Sequence, residues 1–414
     1  MKKTIALLIA VLMVLTLFAC NSGTTTQSPS SDSSASTSPS ASTVPEASAS
    51  PSASASPSES APPVTSQAPP AVGDPSVNAN TIGFFTDGID PNSRDTYDVV
   101  WAYMRPMALF LSIRDALISL EPVFNVNIID YCANSDIDAM IQNIEIYADQ
   151  GVDGFIIVID ASANLRIKEV LDDTGLPYID ILNSVRDSNG SAIVHCIGME
   201  GVTVGREMTK WLFDNYKSYW GEIDTSKLGL LNFTFSPNVD FHDRHDGNLA
   251  MFQETLPGNN YIFEADGVTG GLNEETGYDL ASAILAAHPE VEYWFVPACL
   301  ELYAQGAMRA AEALGMQDRV LIIAVNSDVL SALWDSGYEG NFVACVASAA
   351  YQYVAPALSG LTSLMNGTST FETLWSSIRK PTDILTFYEI GYEIVTKDTY
   401  KDYFEYIRRE SGLS

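Results

Sequence analysis

The chain has 414 residues, 46% of them hydrophobic, with 21 basic and 52 acidic residues for a formal net charge of −31. That length admits two domains with well-filled cores. So acidic a surface repels nucleic-acid phosphates and anionic headgroups, which excludes nucleic acid as a partner and means that any membrane attachment needs a covalent or apolar anchor.

The first segment supplies such an anchor. Lys2 and Lys3 precede an apolar run from Ile5 to Phe18, too short for a comfortable membrane span and arranged like a secretory signal. It ends in Leu17-Phe18-Ala19-Cys20, which resembles a bacterial lipoprotein lipobox. The resemblance implies cleavage of residues 1–19 and lipidation of Cys20, with several acyl chains giving stable attachment to the outer face of the cytoplasmic membrane. Residues 20–78 are Ser, Pro, Ala and Thr with few large apolar side chains. Such a composition buries too little surface to offset chain entropy, so it reads as a disordered tether with a reach of about 40 Å.

From Thr81 onward strand-like and helix-like runs alternate. "TIGFFT" is followed by a helix over Met104 to Leu120, "NVNIIDYC" by Ile137 to Gln150, and "VDGFIIVID" by Leu165 to Asp173; "LPYIDILN" comes next. A second series follows "IVHCIGM". It runs helix Val202 to Tyr216, strand "KLGLLNF", helix Leu249 to Leu256, strand "NYIFEA", helix Glu275 to His288, strand "VEYWFVPA", helix Ala304 to Leu314, strand "RVLIIAV". The strands are continuous apolar runs, as parallel strands covered on both faces require, and the helices carry apolar residues at three- and four-residue spacing. The expected fold class is α/β, with two doubly wound parallel-sheet lobes and a cleft between them.

Four patterns in order resemble the type 1 periplasmic sugar-binding proteins, the ribose- and galactose-binding group: "YADQGVDGFIIVIDAS", "TGLPYIDIL", "RHDGNLAMFQETL" and "EIVTKDTY". The resemblance covers residues 80 to 400 and implies a three-segment hinge. Residues 79–198 with 348–388 would form one lobe, and 199–347 with 389–414 the other. It implies a monomer that captures a small polar ligand, a monosaccharide above all, and hands it to an ABC permease. A sensor reporting to a membrane receptor or kinase is the alternative. No enzymatic chemistry, cofactor or metal is implied.

The resemblance also marks the expected ligand-binding set of Trp101, Asp160, Asn183, Arg244, Glu301 and Asn326. Each has a second role open to it. Arg244, placed at a helix start, donates several hydrogen bonds in one plane, or pairs with Asp240 or Asp243. Asp160 ends an apolar strand and either binds ligand or caps the next helix. Asn183 stands where the family often has an Asp-Arg pair. Asn326 replaces a family aspartate, with a turn role as the alternative. Trp101 stacks on a sugar ring or packs in the core. Glu301, in "ACLEL", is the surviving acid of a family Asn-Asp pair or a partner for a helix N-terminus.

Competing functions lack their residues. "DFHDRHD" places His242 and His245 three apart, but no HExxH pattern is present and an acid-rich helix start explains it. A DNA-binding regulator needs a helix-turn-helix where the signal and tether stand. No nucleophile elbow, P-loop or Rossmann glycine fingerprint occurs. Cys132, Cys196, Cys299 and Cys345 are widely spaced beside apolar residues and read as buried free thiols.

Overall fold

A computed structural model describes residues 93–411. The signal, Cys20, the tether and "TIGFFT" lie outside the described residues. The first described strand is β1 (Tyr97–Tyr103), a run of aromatic and β-branched residues that the sequence reading passed over. The helix α1 (Ala108–Phe124), β2 (Val126–Cys132), α2 (Ile137–Gln150), β3 (Gly154–Ile157), α3 (Asn164–Thr174), β4 (Tyr178–Ile181) and β5 (Cys196–Gly198) follow.

The second series runs α4 (Gly201–Trp220), β6 (Leu228–Thr234), α5 (Val239–Thr255), β7 (Ile262–Asp266), α6 (Glu274–Ala287), β8 (Tyr293–Ala298), α7 (Glu301–Ala313), β9 (Val320–Val325), α8 (Asp328–Asp335) and β10 (Phe342–Ala347). The chain ends with α9 (Ala350–Met365), β11 (Phe387–Glu389), β12 (Glu393–Thr396) and α10 (Tyr400–Ser411).

Two six-stranded sheets result, ordered β11-β5-β4-β3-β1-β2 and β12-β10-β9-β8-β6-β7. All neighbours pair in parallel except β10 and β12. β3, β4, β6, β9 and β10 are buried at every position, as parallel strands between helix layers must be. The chain passes between the sheets three times, after β5, after β10 and after β11. Both sheets lie in one compact unit. This is the doubly wound, two-lobed α/β architecture that the alternation of runs predicts.

Local signals set the ends of the helices. Asp136 caps α2 by accepting from the Ala139 N–H at 2.9 Å, and Gly151 ends it at φ 88°. α5 begins at Val239 because Asn238 accepts from the Phe241 N–H at 3.1 Å. The helix is therefore nearly three turns longer at its N-terminus than a helix from Leu249, and its polar first half hid it. Helices α4 and α5 cross at glycines: a Cβ on Gly205 would stand 2.0 Å from the Arg244 carbonyl oxygen, and one on Gly247 2.1 Å from that of Val202. Cys132, Cys196, Cys299 and Cys345 are free thiols. Among the described residues no helix is long and apolar enough to cross a membrane.

Candidate functional site

A cavity of about 290 Å³ lies between the carboxyl ends of both sheets. Its walls come from segments that follow strands: Met104 and Arg105 after β1, Ser135 after β2, Asp160 and Ser162 after β3, and Leu182 and Asn183 after β4 in one lobe. Phe235 and Asn238 after β6, Leu300 after β8 and Asn326 after β9 supply the other. Open α/β sheets bind ligands at these strand ends. Two wall residues hold left-handed backbone, Leu182 at φ 80° and Asn326 at φ 78°. Asparagine tolerates that region; a leucine there is an outlier of the kind that gathers at binding sites.

Four of the expected residues meet at this cavity: Asp160, Asn183, Arg244 and Asn326. Asp160 caps the short 3-10 turn over Ala161–Ala163 rather than α3 itself, since its Oδ1 accepts from the Ser162 N–H at 2.9 Å and the Ser162 hydroxyl at 2.5 Å. The Asn183 Nδ2 donates to the Ile159 carbonyl at 2.8 Å, and its Oδ1 accepts from the Asn238 Nδ2 at 2.8 Å. Arg244 stands in the second turn of α5 rather than at its start, because Asn238 caps the helix earlier. It is 6% exposed, lies over the Phe241 ring at 5.1 Å and donates from Nη1 to the Cys299 carbonyl at 2.9 Å. It makes no ion pair with Asp240 or Asp243 among the described residues; Asp243 instead faces Arg186 at 3.6 Å. The Arg244 Nε is buried with no hydrogen-bond partner.

The other two expected residues stand elsewhere. Trp101 is in the middle of β1 and fully buried, stacked on Tyr103 at 5.4 Å. It is not among the cavity-lining residues and packs edge-on to one of them, Phe110, at 6.5 Å. The strand around it sets that orientation. Glu301 opens α7 but turns away from the cavity: its carboxylate accepts from the Val329 and Leu330 N–H groups, both at 3.0 Å. It therefore serves the exposed amides at the start of α8, the second of the two roles left open for it. Burial pushes its carboxyl up to about 7, against the lowering effect of those amides.

Sequence reading did not single out Arg105, Asn238 or Phe241. Asn238 carried a usable signal, an asparagine directly before a helix. Arg105 carried none, because nothing local distinguishes a cleft arginine from a surface one.

The lobes touch beside the cavity through polar groups. Ser184 donates its N–H and its hydroxyl to Asp240 at 2.7 and 2.9 Å, next to the Asn183–Asn238 bond and the Arg186–Asp243 pair. All three contacts join the β4–β5 loop of one lobe to α5 of the other. On the outer side of α5 His242, His245 and Asp246 bring ligand atoms within 4.8 Å of one another. His245 is already engaged there, by Asp246 at 3.1 Å and Glu264 at 3.2 Å.

Known proteins resemble this chain in sequence and in fold. The model of the periplasmic binding protein domain matches residues 120–369. An L-arabinose-binding periplasmic protein of an ABC transporter from Azospirillum brasilense is 25% identical over 215 residues, 51% of this chain and 63% of that relative. The match thus spans less than two thirds of the relative's length. The ribose ABC transporter protein of Conexibacter woesei has the same fold, with a TM-score of 0.59 at 16% identity over 77% of this chain and 98% of its own. The myo-inositol-binding protein of Caulobacter, solved with myo-inositol, gives 0.58 at 16% identity over 74% and 95%. A two-lobed fold, a cavity where the strand ends of both lobes face each other, and a family model matched over more than half the chain lead to one conclusion: this chain belongs to the periplasmic binding protein domain family.

Proposed function

We propose that the chain is an extracytoplasmic solute-binding lipoprotein. It captures a small hydroxylated solute of the sugar class between its lobes and delivers it to an ABC permease. The observation that carries this reading is the cavity at the strand ends of both sheets, with Asn183 from one lobe and Arg244 and Asn326 from the other on its wall. A ligand that touches both lobes binds the closed state better than the open one, and that difference alone drives closure. The permease would read the closed form. Lipidation at Cys20 and the Ser/Pro-rich segment after it would hold the lobes near the membrane while leaving them free to move. The sugar-binding relatives support the ligand class, and the absence of catalytic motifs in the sequence fits a binding role.

A thermal-shift screen over sugars, sugar acids, polyols and nucleosides tests the reading. Stabilisation by members of the sugar class is expected. If only nucleosides raise the melting temperature, the ligand class is wrong. Release of the mature protein from cell membranes by a Cys20→Ser substitution tests the anchor separately.

A further inference from the structure

We infer that the ligand of this cleft carries a carboxylate, so that the solute is a sugar acid and not a neutral sugar. The inference rests on the solute-binding reading and narrows it. It follows from counting which polar side-chain atoms on the cavity wall are still free.

Acceptors are scarce. The Asn183 Oδ1 is taken by Asn238, and the Asn238 Oδ1 by the Phe241 N–H. One Asp160 oxygen already holds two donors from Ser162. The side-chain acceptors on the described wall that hold no donor yet are the second Asp160 oxygen, the Asn326 carbonyl and the serine hydroxyls, while the Asn183 and Asn238 oxygens keep one lone pair each. Donors are abundant. Arg105 makes no hydrogen bond or ion pair with its guanidinium among the described residues, although it lines the cavity and is half-buried. Arg244 commits Nη1 to Cys299 and leaves Nε buried without a partner.

This imbalance discriminates between ligands. Every hydroxyl of a neutral sugar brings a proton that needs an acceptor, and a hydroxyl buried without one loses affinity. A carboxylate brings acceptors only, and a guanidinium matches it in shape and charge. Charge gives the same answer. Two arginines and one acid line the wall, in a chain whose net charge is −31. Asp240, the acid whose field reaches Arg244, is held by Ser184. The protein's overall charge repels an anion at long range, but it is screened beyond about 8 Å at physiological salt, and the two local cations decide inside the cavity.

Arg105 follows β1 in one lobe and Arg244 sits on α5 in the other. A carboxylate held by both makes the acid group itself a link across the closed cleft. The remaining acceptors, Asp160 and Asn326, suffice for a few hydroxyls, and Met104, Phe110, Phe235 and Phe241 offer apolar faces for the ring.

Calorimetric titration with matched pairs tests this: D-glucuronate against D-glucose, D-galacturonate against D-galactose, and L-arabinonate against L-arabinose. The acid of at least one pair is expected to bind ten-fold or more tightly than its neutral partner. Arg105→Gln should then bring the two to within about two-fold of each other, while the unliganded melting temperature shows that the variant is folded. Neutral sugars that bind as well as their acids, or better, overturn the carboxylate inference and leave the sugar-class reading standing. An acid preference that survives Arg105→Gln removes Arg105 from the site and overturns the two-arginine grip. If no acid or neutral sugar binds and a nucleoside does, both the inference and the reading fall.

Discussion

Ser184 and Asp240 belong to different lobes and are joined by two hydrogen bonds, the Ser184 N–H and hydroxyl both donating to one buried carboxylate at 2.7 and 2.9 Å. Hydrogen bonds to a charged acceptor contribute about 1.5–3 kcal/mol, and leaving a buried partner unpaired costs a similar amount. This pair therefore holds the lobes together beside the cavity before any ligand contributes.

Ser184→Ala and Asp240→Asn should each weaken the closed state. The first removes the hydroxyl bond. The second sets an amide donor against one of Ser184's donors. The expected loss in ligand affinity is about ten-fold, with a larger radius of gyration in small-angle scattering of the unliganded protein. An unchanged affinity and scattering curve would show that the contact persists in the open form and acts as part of the hinge.

Arg244 has a structural duty as well as a proposed binding one. Arg244→Ala strands the Cys299 carbonyl and empties the space over Phe241, so the unliganded protein should lose about 1–3 kcal/mol along with ligand-induced stabilisation. Arg244→Lys keeps the charge and loses the planar fork. It should retain more stability than the alanine variant, yet bind ligand poorly. Denaturant unfolding with and without ligand separates the two effects, and a lysine variant that binds like wild type would deny the fork a role.

Gly205 and Gly247 let α4 and α5 touch backbone to backbone. Alanine at either position meets main-chain atoms that cannot rotate away. Gly205→Ala or Gly247→Ala should destabilise by about 1–3 kcal/mol or more. Because Asn238 caps α5 and Asp240 and Arg244 lie on it, ligand affinity should fall as well. Affinity that stays intact in a destabilised variant would mean that α5 regains its place.

Two buried groups give opposite pH dependence. Glu301 has its pKa raised by burial from 4.5 to about 7. Its contribution to stability is fully present below 4.5 and is lost as pH rises through about 7. His195 is lowered by burial from 6.5 to about 4. It accepts from the Thr386 N–H at Nδ1 and, in that tautomer, donates from Nε2 to the Phe371 carbonyl. Its contribution is present above 6.5 and is lost as pH falls toward 4. Each is worth up to about 3 kcal/mol. Relative to Glu301→Gln, wild type should lose melting temperature between pH 5 and 8. Relative to His195→Gln, it should lose it between pH 6.5 and 4.5. Parallel melting curves across the range would show that neither group is perturbed.

Much of the fold was legible because strand and helix periodicities are local. The apolar runs at β3, β4 and β9 and the spaced apolar residues of α2 announced themselves. Where a segment's pattern departed from its structure, the reading slipped. The expected elements place no strand at β1, whereas that strand puts Trp101 in the core. The first half of α5 was hidden by its polarity, since it faces the other lobe and the cavity wall.

The sequence by itself determined the alternation of elements, and with it a two-lobed α/β chain whose strand ends face a cleft. Only the tertiary structure decided which polar atoms in that cleft remain free. Asn183 finds Asn238 across 55 residues, Asp240 finds Ser184 across 56, and Glu301 reaches α8 across 28 and 29. A hydrogen bond depends on the distance and direction between two groups. Here sheet order and lobe contact set both, and no local pattern of residue types records them.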